Sequence, residues 1–345
     1  MRSTGTPEST ISAPDRSKLQ LPKEEPSLVK CLYAFVLAFM SCTLAAGAAE
    51  PVKLDRAFVI IMENADFADI VGPATAAPGV TKLAREHGVA TEYYGTTHPS
   101  LPNYLSMLGG ETFGITNDAP SCFAPGAGAG CHSVDAPNLI DQLEAHAVSW
   151  AVYEQAMPQA GFLGAQFPTS GPGSGAYAQK HNPFVYFRSV ATDPKRLTKI
   201  QPMPSDAALQ TVLADPSEAP KMIWFVPDQC HDMHGTRACP DVDAYRHVGD
   251  QTAVALVRTI VASPAYTAKS AIFLVWDEGD TTVGCCGANG GGRTPMIVIT
   301  PQVRGPRTSA IHADHYSLLA TLEDAFGLPR LGQAANRTTF AELLR

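Results

Sequence analysis

The feature that most constrains this chain is a repeated unit: a run of apolar, often β-branched residues that stops abruptly at polar ones. "AFVIIM" (Ala57–Met62) ends at "ENADF", "KMIWFV" (Lys221–Val226) runs into a His/Asp loop, and "AIFLVW" (Ala271–Trp276) ends at "DEGD". "GVATEYYG" (Gly88–Gly95), "SWAVYEQ" (Ser149–Gln155) and "PMIVITP" (Pro295–Pro301) read the same way. Apolar runs of this length, bounded by turn residues, mark strands buried on both faces. Between them lie segments with helical spacing. "NLIDQLEAHAV" has Asn138 as its cap, "DQTAVALVRTIVASP" (Asp250–Pro264) stops at Pro264, and "HYSLLATLEDAFGLP" (His315–Pro329) is closed by Gly327 and Pro329. Strands alternating with helices predict an α/β fold, a mostly parallel sheet with helices on both faces.

With 345 residues, 45% of them hydrophobic, the chain can bury one large α/β domain or two small ones. A net charge of −8 excludes the basic stripe of a nucleic-acid binder, and charge alone would not dock this surface on an anionic membrane. The N-terminal part reads as a targeting segment. Lys30 precedes an uncharged stretch, Cys31–Ala49, that ends in small residues, so residues 1–48 are expected to be a signal peptide with a polar extension, cleaved near Ala48. The alternative is an uncleaved anchor, but the Ala and Gly at its end favour cleavage, leaving no stable membrane span and a secreted or periplasmic protein. Residues 49–345 then form a single catalytic domain. Within it, residues 156–220 are rich in Gly, Pro and Ala and are expected to be a lid or specificity insertion over the strand ends. Of eight cysteines, six follow the leader, in three close pairs within loops. In an exported chain these predict Cys122–Cys131, Cys230–Cys239 and a bond involving Cys285 or Cys286.

In open α/β sheets the ligand crevice lies at the C-terminal strand ends. There the chain places Glu63 and Asn64, Ser100, Asp232 and His234, and Asp277 and Glu278. Carboxylates with an amide suit a hard cation (Mg, Ca or Mn), and carboxylates also hold Zn. A hydroxyl beside them, Ser100 in "THPSLPNYL", could be a nucleophile activated by that metal. It could equally be a helix cap. The histidine pairs His231/His234 and His312/His315, with His98 and His181, offer phosphate contacts, a general acid or a second metal site. No G-x-S-x-G elbow, P-loop or H-E-x-x-H motif occurs.

Seven blocks in order carry a resemblance: "VIIMENADFADIVG", "THPSLPNYLSMLGG", "KHNPFVYF", "HDMHG", "VWDEGD", "GGRTPMIVITP" and "HYSLLATLEDAFGLP". Over roughly residues 55–330 the chain resembles the phosphoesterase family, which joins secreted acid phosphatases with bacterial phospholipases C in the alkaline-phosphatase-like superfamily. The resemblance implies a three-layer α/β/α fold and a covalent phosphoryl-enzyme mechanism. By position it implies Ser100 as nucleophile, and one divalent metal ion held by Glu63, Asn64, Asp277 and Glu278 with Ser100. It implies Asn103 on the phosphoryl oxygens, and His181 and His234 contacting phosphate or protonating the leaving group. "TTVGCCG" stands where the phospholipase branch has D-H-V, and Tyr104 where that branch has Arg; both departures favour a phosphatase. The expectation is therefore an exported, metal-dependent acid phosphatase acting on a phosphomonoester. The alternatives are phospholipase C or phosphoinositide phosphatase activity in the same site, on a phosphoinositide or phospholipid headgroup, and a non-catalytic secreted phosphate-binding protein.

Overall fold

The computed structural model describes residues 51–72, 76–282 and 290–345. The predicted leader and the predicted bond at Cys285 or Cys286 lie outside the described residues. The main sheet has eight strands, in the order Arg307–Ser309, Gly88–Ala90, Met296–Ile299, Ser270–Trp276, Arg56–Met62, Met222–Val226, Trp150–Glu154 and Ile200–Pro202. Every pairing is parallel except those of Met296–Ile299, which runs antiparallel to both neighbours.

The three layers follow from the two-residue period of a strand. In Arg56–Met62, Ala57, Val59 and Ile61 face one side, where Leu101, Leu105 and Leu108 of helix Ser100–Gly109 and Leu318 and Leu322 of helix His315–Phe326 cover them. Phe58, Ile60 and Met62 face the other, against Val80 of helix Pro78–Glu86 and Ala253, Leu256 and Ile260 of helix Val242–Val261. All six strand side chains are fully buried. Each Val, Ile or Phe among them contributes roughly 1.5–3 kcal/mol before conformational entropy opposes it. The fold is thus the expected three-layer α/β/α.

The capping signals hold. Asn138 accepts from the Ile140 and Asp141 backbones, and the Asp141 carboxylate accepts from Asn138 N in return, completing a capping box. Gly327 closes helix His315–Phe326 in the left-handed conformation, φ 72°. Two boundaries differ from the sequence reading. "GVATEYYG" is broken at Thr91–Glu92: Gly88–Ala90 joins the main sheet, whereas Tyr93–Tyr94 pairs with Ala313–Asp314 in a separate ribbon. The helix expected from Asp250 begins at Val242, where the Asp241 side chain caps Ala244 N at 2.9 Å. Its first two turns are largely exposed, so they carry no apolar period. Residues 156–220 contribute the edge strand Ile200–Pro202, the ribbon Gln166–Phe167/Tyr177–Ala178 and helix Asp206–Val212. Cys122–Cys131 and Cys230–Cys239 are bonded as expected. Among the described residues no helix is long and apolar enough to cross a membrane.

Glu323 links this core to pH. It is fully buried, and its Oε1 accepts from Leu331 N at 2.8 Å. Burial pushes its carboxyl up to about 8. Between the ordinary carboxylate range and about 8 the folded state therefore holds a proton that the unfolded chain has lost, and stability falls as pH rises through that window. Glu323→Gln keeps the shape of the protonated acid without the titration. Urea denaturation should show the variant more stable than the parent by roughly 2–4 kcal/mol at pH 8, with the gap closing towards pH 4.5. Parallel stability–pH curves would refute this account.

Candidate active site

Three parallel strands end side by side, and short loops tie their ends together. Glu63 N donates to Asp232 O at 2.8 Å, Asp277 N to Met62 O at 3.0 Å and Ala65 N to Glu278 O at 3.1 Å. This ladder brings Glu63, Asp232, Asp277 and Glu278 to one place, each of them buried. Asn64 sits at φ 28°, in the left-handed region that asparagine tolerates, and turns the chain immediately after Glu63. Its backbone N–H donates to Asp277 Oδ1 at 3.3 Å and its side-chain amide reaches Glu278 Oε1 at 3.5 Å. A fourth segment arrives through Gly95, where a Cβ would lie 2.7 Å from Gly291 O and 2.9 Å from Asp277 O. Only glycine lets the Ser100 loop approach so closely.

Ser100 is the first residue of its helix, after Pro99, and its side chain makes no capping bond. The cap belongs to Asp118, whose Oδ1 accepts from Leu101 N at 3.0 Å. The Ser100 hydroxyl instead points into the acidic cluster, donating to Glu63 Oε2 at 3.1 Å and accepting from Lys180 Nζ at 3.3 Å. It is 1% exposed. Of the two sequence readings, the cap is the one this geometry lacks.

Asn103, one turn on, is engaged at both ends. Its Oδ1 accepts from Thr96 N and Thr97 N at 2.8 and 3.0 Å, and its Nδ2 donates to Thr97 O at 2.7 Å and Glu278 Oε2 at 2.9 Å. It pins the loop before Ser100 to the carboxylates. His181 Nε2 lies 3.0 Å from Glu63 Oε1 without the alignment of a hydrogen bond, and its Nδ1 lies 3.5 Å from Asp232 Oδ2. Tyr104 stacks on the His181 ring and donates to Glu63 Oε1 at 2.6 Å. His234 Nδ1 bonds the Gly235 carbonyl at 2.7 Å, so this nitrogen carries the proton and Nε2 presents its lone pair to Lys180 Nζ at 3.1 Å. His98 Nδ1 lies 2.9 Å from Glu278 Oε2.

The electrostatics of this cluster are those of a cation site. Burial raises the carboxyls of Glu63, Asp232, Asp277 and Glu278, and their mutual repulsion raises Asp277 further. Burial lowers His181 well below the ordinary imidazole range, with Lys180 adding to the effect. Burial opposes the charge of Lys180, but Glu63, Asp118 and Asp277 outweigh it and raise its ammonium. One ammonium does not offset four buried carboxylates. Among the described residues Asn64 Oδ1, Asp232 Oδ2, Asp277 Oδ2 and His181 Nε2 are buried without hydrogen-bond partners. A divalent cation would satisfy both the charge and these orphaned atoms, so the residues fit one. Among the described residues the set whose ligating atoms lie within 4.8 Å of one another is Glu63, His181 and His234, while the predicted oxygen ligands Asn64, Asp277 and Glu278 stand beside Glu63, with Asn64 bonded to both acids.

Residues 73–329 match the Phosphoesterase family, most of the chain. The chain belongs to the phosphoesterase family. It is 29% identical over 293 residues to a phosphate-repressible acid phosphatase of Penicillium chrysogenum, covering 81% of this chain and 60% of that one. It is 27% identical over 286 residues to a phosphatidylinositol-3-phosphatase of Mycobacterium tuberculosis, covering 83% and 81%. The chain thus spans about 60% of the length of the fungal relatives. Its fold is shared with a Vibrio parahaemolyticus protein of the alkaline phosphatase superfamily, at a TM-score of 0.54 and 11% identity, covering 84% of this chain and 72% of that one.

The sequence-predicted residues Glu63, Asn64, Ser100, Asn103, His181, His234, Asp277 and Glu278 come together around the strand ends. The pair His312/His315 does not join them. His315 is buried, pushed down to about 4 by burial, and bonds Tyr93 and the Asp277 backbone carbonyl, while His312 stacks on Tyr94. His315 therefore supports the end of the Asp277 strand. Sequence reasoning missed Lys180, Asp118 and the hydrogen bond of Tyr104. A signal for Lys180 was present, since it is the one cation of the "KHNPFVYF" block that also holds His181.

Proposed function

We propose that this chain is a metal-dependent phosphomonoesterase that works through a phosphoserine on Ser100. The observation that carries the reading is the Ser100 hydroxyl itself, relieved of capping by Asp118 and held between Glu63 and Lys180. The named acid phosphatase relative supports the same reaction class. When bound by Glu63, Asn64, Asp277 and Glu278, a divalent ion (Mg, Ca, Mn or Zn) would lower the pKa of the Ser100 hydroxyl and balance phosphoryl charge.

The chain's own residues supply the rest. Ser100 Oγ lies at the positive end of its helix, which favours an incoming phosphoryl group. Lys180 Nζ, within reach of Oγ, stabilises developing negative charge on the phosphoryl oxygens. As the Ser100 Oγ–P bond forms, the bond from phosphorus to the leaving alcohol breaks, and that oxygen takes a proton. His234 Nε2, oriented by the Gly235 carbonyl, presents a lone pair that would take the proton Ser100 gives up and pass it to that oxygen, and would later take one from the water that cleaves the phosphoserine and return it to Ser100. Asn103 and Tyr104 act as positioning residues, on Glu278 and Glu63.

The phosphatidylinositol-3-phosphatase relative favours a second reading for the same site, a phosphoinositide or other phospholipid headgroup as substrate. Two disulfides fit folding in an oxidising compartment, so secretion or export to a periplasm is part of the proposal. Acid quenching during turnover of p-nitrophenyl phosphate, followed by mass spectrometry, should find phosphate on Ser100. Steady turnover with Ser100 always unmodified would rule out the covalent step.

A further inference from the structure

A cavity of about 630 Å³ opens beside the catalytic cluster and shares His234 with it. One wall is the glycine-rich turn Gly171–Gly175, and the other is the stretch Gln229–Ala238, closed into a loop by Cys230–Cys239. Its character is opposite to that of the strand-end cluster. Among the described residues no carboxylate lines it, although the chain as a whole carries a net charge of −8. Its polar side chains are Gln166, Ser174, Gln229, His234, Thr236 and Arg237. Gln229 is buried and tied to the Gly175 carbonyl, so the two walls are joined. Arg237 is exposed and, among the described residues, makes no ion pair or hydrogen bond with its side chain. At Gly171 and Gly173 a Cβ would meet nothing within 4 Å, so that wall presents bare backbone to the space.

We infer that this cavity is the leaving-group subsite, and that it selects a hydroxylated leaving group bearing a second anionic group, which Arg237 binds; this rests on the phosphomonoesterase reading. A polar wall of amides, hydroxyls and backbone recognises sugar-like hydroxyls and offers nothing to acyl chains. The planar guanidinium supplies a two-pronged contact to phosphate or carboxylate. The position of His234 orders the two ends: the phosphoryl group to be transferred meets Ser100, and the leaving group extends past His234 towards Arg237. The disulfide ties His234 and Arg237 into one small loop. The reaction that supplies such a substrate is a phosphorylation of a polyol or sugar that already carries an acid group.

The test compares p-nitrophenyl phosphate, glucose 6-phosphate and fructose 1,6-bisphosphate in the parent, Arg237→Gln and Arg237→Glu. The ratio of kcat/KM for the bisphosphate over glucose 6-phosphate should fall about fivefold in Arg237→Gln and further in Arg237→Glu, as for a partly exposed charge contact. Arg237→Lys should recover part of the ratio. A ratio unmoved in all three variants overturns the subsite while leaving the phosphomonoesterase reading intact. Calorimetry on Ser100→Ala protein separates the two without turnover. Fructose 1,6-bisphosphate should bind more tightly than inorganic phosphate, and adding Arg237→Gln should erase that advantage; equal affinities in the two proteins would again refute the subsite. If the parent turns over none of the three esters while this binding difference persists, the phosphomonoesterase reading fails and the leaving-group role with it, and only the Arg237 anion contact of the cavity stands.

Discussion

Ser100→Ala is expected to lower phosphomonoester turnover by about 10³-fold or more, because the loss of a covalent nucleophile leaves only the residual rate supplied by binding groups. Its cost in stability should be small. A capping serine would lose roughly 0.5–2 kcal/mol on truncation, but the capping bond here comes from Asp118 to Leu101 N. Removing the hydroxyl takes one partner from Lys180, which keeps Asp118, and one from the Glu63 carboxylate, which keeps Tyr104 on its other oxygen, so the change should stay within about 1 kcal/mol. The cap penalty is expected at Asp118→Ala instead. Kinetics with p-nitrophenyl phosphate, urea denaturation and metal analysis on the two variants check this together. A Ser100→Ala protein that binds metal and turns over at near the parental rate would return the residue to a structural role.

The second large effect is expected at Asp277. Asp277→Asn preserves volume and keeps an oxygen to accept from Asn64 N and Glu278 N, at 3.3 and 2.7 Å in the parent. It removes one of the buried negative charges that would hold a cation. Metal content, measured by elemental analysis after gel filtration, should fall from about one per chain to a small fraction, and turnover should fall with it. The variant without metal should be more stable than the chelator-stripped parent, because repulsion from Glu63 and Glu278 acts on Asp277 in the parent. Chelation should lower the parental Tm and leave that of the variant unchanged. The competing donor set, Glu63 with His181 and His234, makes the opposite forecast. Under it, Asp277→Asn keeps its metal and His181→Ala loses it. A fully loaded, fully active Asp277→Asn protein would end the carboxylate assignment.

Much of this was legible in the chain itself, wherever the cause is short-range. Apolar runs such as Ala57–Met62 announce doubly buried strands because a two-residue period with both phases apolar leaves no solvent face. Asn138 and Gly327 mark helix ends because a cap bonds or turns residues adjacent to it. Cys122–Cys131 and Cys230–Cys239 are each separated by nine residues, so the chain closes those loops with little loss of entropy. The strand-end acids Glu63, Asp277 and Glu278 were visible because a buried strand that stops at carboxylates delivers them to its own C-terminal edge.

What tertiary structure alone decided depends on partners far apart in sequence. Lys180 meets Ser100 across 80 residues, and Asn103 meets Glu278 across 175. No local pattern records that Asp118 has taken over the cap from Ser100, or that the Asn103 amide is engaged on the preceding loop. Thr91–Glu92 breaks a run that reads as one strand because its halves find different partners, Met296–Ile299 with Arg307–Ser309 on one side and Ala313–Asp314 on the other. The composition and period of a segment determine whether it is buried and in what form. Which buried group lies beside which is set when separate strands are brought into one sheet, and the surroundings of Ser100 come from that second step.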